Sequence, residues 1–367
     1  MRTVMIAVSL ALAAVCTASA GAAAGVERPN IIFFFQDDQD EMLGGFDTPM
    51  PKTLSLMSAG SRLHGFTSVP VCCPSRVSLW SGRNPHNNKA IAHEPQGWCS
   101  EGIFDEGPDE DYSAAAYAKA AGYTTGLYGK YLNVRNNVSN IPAGWDSWFM
   151  MVHENKYLKN DFSVNGTYVQ YGDDFETDYL TTILRRNATE WLRARFQTNE
   201  NDRAAGRDPS PVFLTIADHA PHVPATPEPK YAGTYAGRKA PRPVTYDAPQ
   251  DIIDQHHWLV RSQPPMSELQ KNWTDDLFER RWETLRSVDD MVEAVWDVVS
   301  EAGQEDNTYV FRETAPAAPR GPRAAPVGAA PPAPSPALTT RHPAPPRSDC
   351  IPFPPWPRLH CSVGRPR

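Results

Sequence analysis

Asn30-Ile31-Ile32-Phe33-Phe34-Phe35-Gln36-Asp37-Asp38 is the stretch on which the fold turns. Its continuous apolar run, residues 31–35, reads as a strand covered on both faces, as in the middle of an α/β sheet. The acids that close it fall where open α/β sheets place their ligands, at the carboxyl ends of strands. Outward from this run, residues 123–128, 212–216 and 308–311 read as further strands. Helical patterns lie between them, over 53–59, 75–80, 112–121 and 178–195, with a long amphipathic helix over 277–300. That alternation predicts an α/β protein. Residues 225–265 are loop-rich and are expected over the top of the sheet, and no internal repeat is present.

Composition agrees with a large core. Hydrophobic residues make up 41% of the chain and aromatics 10%, enough apolar material for a globular body. The formal charge of −8 is uneven. From Arg312 onward eight arginines face Glu313 and Asp349, a net of +6, which leaves −14 on the first 311 residues. An acidic body argues against nucleic acid as a partner. Of 36 prolines, 16 fall in the last 56 residues among Ala and Arg. Such a segment lacks donors and apolar periodicity, and is expected to be a disordered tail.

The first residues read as an address. Arg2 precedes an apolar run over 4–15, and Ala18-Ser19-Ala20 supplies small residues for cleavage, so 1–20 is expected to be a secretory signal peptide. It is too short to span a bilayer, and no later run is apolar enough to do so. Sequons at Asn137, Asn165, Asn187 and Asn272 fit a lumenal glycoprotein, lysosomal or extracellular. Cysteine is sparse, which excludes a disulfide scaffold. Cys73 and Cys99 are available to pair if Cys72 is modified.

Four motifs carry chemistry. Asp37-Asp38 closes the first strand; adjacent carboxylates repel, and a hard divalent cation is the simplest way to keep both ionised. Turn chemistry is the bland alternative. Cys72-Cys73-Pro74-Ser75-Arg76, running on to Leu79 and Ser81-Gly82-Arg83, opens a helix, because Pro suits a first turn and Ser a cap. A helix N-terminus also favours a bound anion. Lys130 follows the strand ending at Tyr128-Gly129, where an exposed lysine would be ordinary. Asp218-His219-Ala220-Pro221-His222-Val223-Pro224 follows another strand; its prolines deny a helix, so the two histidines have no fixed metal-binding spacing.

Together these motifs resemble the sulfatase family. Cys72-Cys-Pro-Ser-Arg76 is similar to the signature in which the cysteine becomes formylglycine. Arg28 through Asp38 resembles the family's opening metal motif, and Gly129-Lys130-Tyr131-Leu132-Asn133 its Gly-Lys element, with Leu132 where many members carry His. The Ala220-Pro-His222 frame resembles the loop whose His meets the sulfate ester. His257 to Arg261 and Arg280-Arg281-Trp282 point to the branch of lysosomal N-acetylglucosamine-6-sulfatases, with heparan 6-O-endosulfatases as relatives. The resemblance implies an alkaline-phosphatase-like fold, a large mixed sheet flanked by helices, over residues 28–311. It implies Cys72, Arg76, Lys130 and His222 as catalytic residues, with His219 a bystander. Asp37, Asp38 and the modified Cys72 would hold one Ca2+. It also implies a formylglycine-generating enzyme as maturation partner, and the 6-sulfate of N-acetylglucosamine units in heparan or keratan sulfate as substrate.

One departure stands out. After the strand at 308–311 this family places an Asp-Asn or Asp-His pair that completes the metal site. This chain reads Arg312-Glu313-Thr314-Ala315-Pro316, and Arg312 would put positive charge where a ligand belongs. The rest, 312–367, is the expected tail, and the family's smaller C-terminal domain is expected to be missing. Two readings stay open, an active sulfatase and a catalytically inactive truncated relative. Asp289-Asp290, midway along the long helix, reads as a solvated face.

Overall fold

The computed structural model describes residues 28–63, 67, 69–91, 113–133, 138–152 and 156–315. The expected signal peptide, the Asn137 sequon, Cys99 and residues 316–367 lie outside the described residues. In chain order the elements are β1 (Asn30–Asp37), α1 (Pro51–Leu56), α2 (Cys72–Ser81), α3 (Pro85–Asn88), α4 (Ala114–Ala120) and β2 (Thr124–Gly129). There follow β3 (Ser147–Met151), β4 (Asp161–Val164), β5 (Thr167–Gln170), α5 (Leu180–Ala204) and β6 (Val212–Ala217). The last are α6 (Gln250–Ile253), α7 (Trp258–Arg261), α8 (Glu268–Glu301) and β7 (Thr308–Ala315). The strands form one mixed sheet in the order β5-β4-β3-β2-β6-β1-β7, parallel from β3 to β7 and antiparallel at β4 and β5.

Strand alternation sends side chains to two cores. Ile32, Phe34, Tyr128, Leu214 and Ile216 face a core shared with α5 and α8. Leu127, Trp148 and Met150 face the opposite side, against Val77 and Trp80 of α2. Helix α8 is held chiefly by its apolar stripe. Val288, Met291, Val292, Val295, Val298 and Val299 are all essentially buried, each contributing about 1.5–3 kcal/mol, whereas its exposed ion pairs contribute about 0–1 kcal/mol each.

Several elements run further than the sequence pattern predicts. Helix α8 starts at Glu268 rather than 277, because Ser267 and Gln270 form a capping box and the first turns are exposed and polar. Helix α5 runs to Ala204 rather than 195; its polar end is tied down by the Asn199 amide donating to Ser210 O at 2.9 Å. The β4–β5 hairpin was not expected. Its turn, Asn165-Gly166, has φ of 48° and 85°, the signature of a tight two-residue hairpin. Residues 228–242 run along α8 rather than over the sheet, through Ser287 Oγ to Glu228 (2.5 Å), Tyr231 Oη to Asp290 (2.5 Å) and Gly237 N to Glu279 (3.0 Å).

The solvated-face reading of Asp289-Asp290 is overturned. Asp289 is fully buried, and Asp290 binds Lys52 and Tyr231. Helix α1 has no capping side chain of its own. The Asp289 carboxylate caps it from α8, accepting from Thr53 N (2.8 Å), Thr53 Oγ1 (2.8 Å) and Lys52 N (3.1 Å). Periodicity saw a polar residue on a helix but not the orphan N–H groups that the fold brings to it. Asp289→Ala leaves those donors buried without an acceptor, and urea denaturation should show a loss of about 2–3 kcal/mol.

Candidate active site

Three adjacent strands, β2, β6 and β1, deliver their carboxyl ends to one place. Strand β1 ends at Asp37, and Asp38 turns the chain with φ of 66°, a left-handed conformation uncommon outside glycine and costly enough to mark special sites. Strand β2 ends at Gly129, followed by Lys130, whose amide donates to Ala217 O of β6 at 2.8 Å. Gly129 has φ of 113°, and a Cβ there would lie 2.1 Å from Ala217 O. Only glycine lets the two strand ends close up. Beyond β6 come the buried Asp218, His219 and His222, with cis peptide bonds before Pro221 and Pro224. Helix α2 begins at Cys72, and Arg76, one turn on, lies on the same helix face.

Asp37 is the hub. It is fully buried, accepting from Lys130 Nζ at 2.7 Å and Arg76 Nη2 at 3.2 Å, with His219 Nδ1 3.4 Å from the same carboxylate. Burial alone would raise its pKa; the Lys130 and Arg76 charges, with the His219 ring beside the carboxylate, override burial and hold the carboxyl well below the usual range. Lys130 and Arg76 are themselves buried. Asp38 is different. Burial, then the Asp37 charge, pushes it up to about 7. Its Oδ2 lies 3.5 Å from His222 Nε2, and its Oδ1 is buried without a hydrogen-bond partner among the described residues.

His222 is fixed on both sides: its Nδ1 is 2.6 Å from Val223 O, and Tyr157 Oη donates to its carbonyl at 2.7 Å. Burial pushes its pKa down to about 3, so the ring is neutral. The His219 ring lies 4.5 Å from that of His222, wholly buried beside Asp37. The resemblance assigned His222 and left His219 a bystander; only the fold shows that His219 is buried beside Asp37. Cys72 is buried and free, and burial pushes its thiol up to about 11. It is therefore uncharged and, unmodified, a weak nucleophile. Cys73 is disulfide-bonded.

Asp37, Cys72 and His222 bring ligand atoms within 4.8 Å of one another, a grouping able to hold a metal ion. The orphaned Asp38 Oδ1, beside two carboxylates that repel, fits a hard divalent cation. In register with β1, the residue of β7 beside Asp37 is Ala315. The expectation that Arg312 intrudes on the ligand position is corrected. Arg312 pairs with Phe34, three residues earlier, and its guanidinium stacks on Phe46 at 4.4 Å.

Sequence reasoning also missed what Arg280-Arg281-Trp282 does. From one turn of α8, Arg281 donates to Asp38 O, to Asp40 Oδ2 (3.2 Å) and to Pro221 O (3.3 Å). Arg280 reaches Pro224 O at 3.1 Å, and Trp282 Nε1 reaches Leu43 O at 2.8 Å. These side chains strap the Asp38 loop and the His222 loop to one rigid helix.

The sequence model of the sulfatase family matches residues 29–312. The chain belongs to the sulfatase family. It is 32% identical to human N-acetylglucosamine-6-sulfatase over 81% of this chain and 52% of that protein. It is 35% identical to the extracellular sulfatase SULF-1 homolog of Drosophila melanogaster, over 77% of this chain and 24% of that one. The chain thus spans about half the length of the curated N-acetylglucosamine-6-sulfatases it matches. The putative sulfatase yidJ of Bacteroides fragilis shares its fold, with a TM-score of 0.56 at 16% identity over 78% of this chain and 62% of that one. So does BT4656, solved with D-glucosamine-2-N,6-O-disulfate, with a TM-score of 0.55 at 16% identity over 79% and 65%. The alkaline-phosphatase-like sulfatase architecture expected from the sequence is the one found.

Lys130→Met should remove about 3–5 kcal/mol of stability, because it leaves Asp37 buried with one cation fewer. The sign of the pH dependence follows. Asp37 contributes stability above its unfolded pKa, and that stability is lost as pH falls through the depressed folded value. With Lys130 gone the folded value rises, so acid unfolding should begin at higher pH in the variant, read by tryptophan fluorescence.

Proposed function

We propose that this protein is a sulfuric ester hydrolase removing the 6-sulfate of N-acetylglucosamine units in heparan or keratan sulfate. The observation that carries the proposal is the meeting of Cys72, in its Cys-Pro-Ser-Arg frame, with Asp37, Arg76, Lys130 and His222 at one strand-end crevice. Conversion of Cys72 to formylglycine by a formylglycine-generating enzyme supplies an aldehyde hydrate that can accept the sulfuryl group and later expel sulfate. The thiol as it stands, uncharged and buried, does not offer that chemistry. A bound Ca2+, held by Asp37, Asp38 and the modified Cys72, would supply charge to polarise sulfate oxygens.

The chain's own groups then have distinct work. Lys130 and Arg76 provide fixed positive charge in a site shielded from water, where it counts for most against developing negative charge. His222, neutral and pinned through Nδ1, presents Nε2 toward the ester oxygen of the leaving sugar. The His219 ring packs beside Asp37 and the His222 ring. Arg281 fixes the backbone on both sides. The signal peptide and sequons support passage through the secretory pathway, to the lysosome or the extracellular space. Among the described residues no helix is long and apolar enough to cross a membrane.

A second reading, a relative that binds sulfated sugars without turnover, is favoured by Ala315, which gives the cation no donor beside Asp37. Peptide mass spectrometry on protein secreted from a eukaryotic host, paired with hydrolysis of 6-sulfated N-acetylglucosamine with and without calcium, separates the readings. The hydrolase reading expects formylglycine at residue 72 and calcium-dependent sulfate release, abolished in Cys72→Ala. Modification without sulfate release would favour the second reading. An unmodified Cys72, beside a control sulfatase that is modified in the same cells, would sink the mechanism.

A further inference from the structure

His222 stands between two tight turns. Its amide donates to His219 O at 2.9 Å, and its carbonyl accepts from Ala225 N at 3.0 Å. Ala225 is wholly buried and has φ of 50°, a left-handed conformation that a residue with a Cβ keeps only where its surroundings enforce it. The turn therefore needs support from outside. Arg281 and Arg280 supply part of it through Pro221 O and Pro224 O, at 3.3 and 3.1 Å. Those carbonyls belong to the flanking prolines and not to His222 itself.

The His222 carbonyl is held from a different element. Tyr157, between β3 and β4, donates its Oη to that carbonyl at 2.7 Å, across 65 residues of chain. Tyr157 is fixed in turn. It is buried, Leu180 N at the start of α5 donates to its carbonyl at 2.9 Å, and its ring lies 5.9 Å from that of Tyr179 and 5.5 Å from that of His219. Tyr179 repeats the arrangement farther along the loop, donating to Thr226 O at 3.0 Å. Burial, then the Asp218 charge, pushes the Tyr157 pKa well above the usual tyrosine value, so its hydroxyl keeps its proton and stays a donor. A carbonyl held by two donors fixes the peptide plane that follows the His222 Cα. The Nδ1 contact to Val223 O, at 2.6 Å, fixes the ring on that plane, which leaves Nε2 a single direction.

Resting on the reading of this protein as a sulfuric ester hydrolase, we infer that Tyr157 is a positioning residue for His222: by holding the His222 carbonyl it aims Nε2 at the oxygen of the leaving sugar. Tyr157 does not meet the substrate, because its hydroxyl is spent on that carbonyl and its ring packs against Tyr179 and His219. It acts through His222 alone. Its loss therefore slows the chemical step and leaves substrate binding as it was.

The test compares two variants of the secreted full-length protein. Tyr157→Phe removes one oxygen and keeps the ring contacts. Tyr128→Phe, the matched control on the β2–β3 pair, loses a hydroxyl contact of the same kind, Oη to Ser147 Oγ at 2.9 Å. Hydrolysis of 6-sulfated N-acetylglucosamine and hydrogen exchange at the Ala225 amide are measured in each. Tyr157→Phe should lower kcat about tenfold, the worth of one hydrogen bond, with KM unchanged, and speed exchange at Ala225; Tyr128→Phe should do neither. In a His222→Ala background Tyr157→Phe should lower kcat no further, because the residue through which it acts is gone. Equal losses in the two tyrosine variants, or an undiminished loss in the His222→Ala background, overturn the inference and leave Tyr157 a residue of the core. Unchanged exchange at Ala225 overturns it as well. If the parent releases no sulfate, the hydrolase reading fails, and the exchange comparison still decides whether Tyr157 holds His222.

Discussion

The buried charge of Asp37 is the constraint from which the rest of the site follows. An ion placed wholly out of water is penalised by several kcal/mol unless well-placed partners repay it. Here the partners are Lys130 and Arg76, both buried and both bonded to the same carboxylate. The three groups come from β1, the end of β2 and helix α2, so satisfying one carboxylate fixes three elements against one another. Cys72 follows from this arrangement: four residues before Arg76, it shares that residue's helix face. The salt bridge that neutralises Asp37 therefore also sets the candidate nucleophile beside it.

A second constraint works from behind. Helix α8 is locked to the sheet by its valine and methionine stripe, which makes it a stiff bar under the crevice. Arg280, Arg281 and Trp282 use that bar to hold four backbone carbonyls, at Asp38, Leu43, Pro221 and Pro224. Those carbonyls lie in the two loops that carry Asp38 and His222. Loops satisfy few of their own backbone groups and are mobile by default. Donors projecting from a packed helix remove that freedom and fix the backbone that carries Asp38 and His222.

The order of β1, β2, β6 and β7 along the chain was legible because each is a strand with a strong apolar pattern. The β3–β4–β5 extension was not, since short, half-polar strands give little periodicity; only Asn165-Gly166 signalled the hairpin. The six site residues named from the sequence do come together, because each follows a strand end or opens a helix, positions that a motif marks by itself. His219, Arg281 and Asp289 were invisible for a shared reason. Their roles depend on partners far away in the chain, and a polar residue on a helix or in a loop looks solvated until the fold buries it. Arg312 shows the converse error. Its place in the sequence suggested a charge at the metal site, but the strand runs on to Ala315, and pairing with Phe34 sends the guanidinium to Phe46.

The loop from Asp38 to Gly44 ties these observations together. One end carries the carboxylate whose Oδ1 is orphaned; the other lies on Trp282, and adjacent side chains of α8 hold both ends. A loop fixed at two points only a few residues apart has little freedom between them. The pose of the Asp38 carboxylate is therefore set by a packed helix rather than by the loop that carries it.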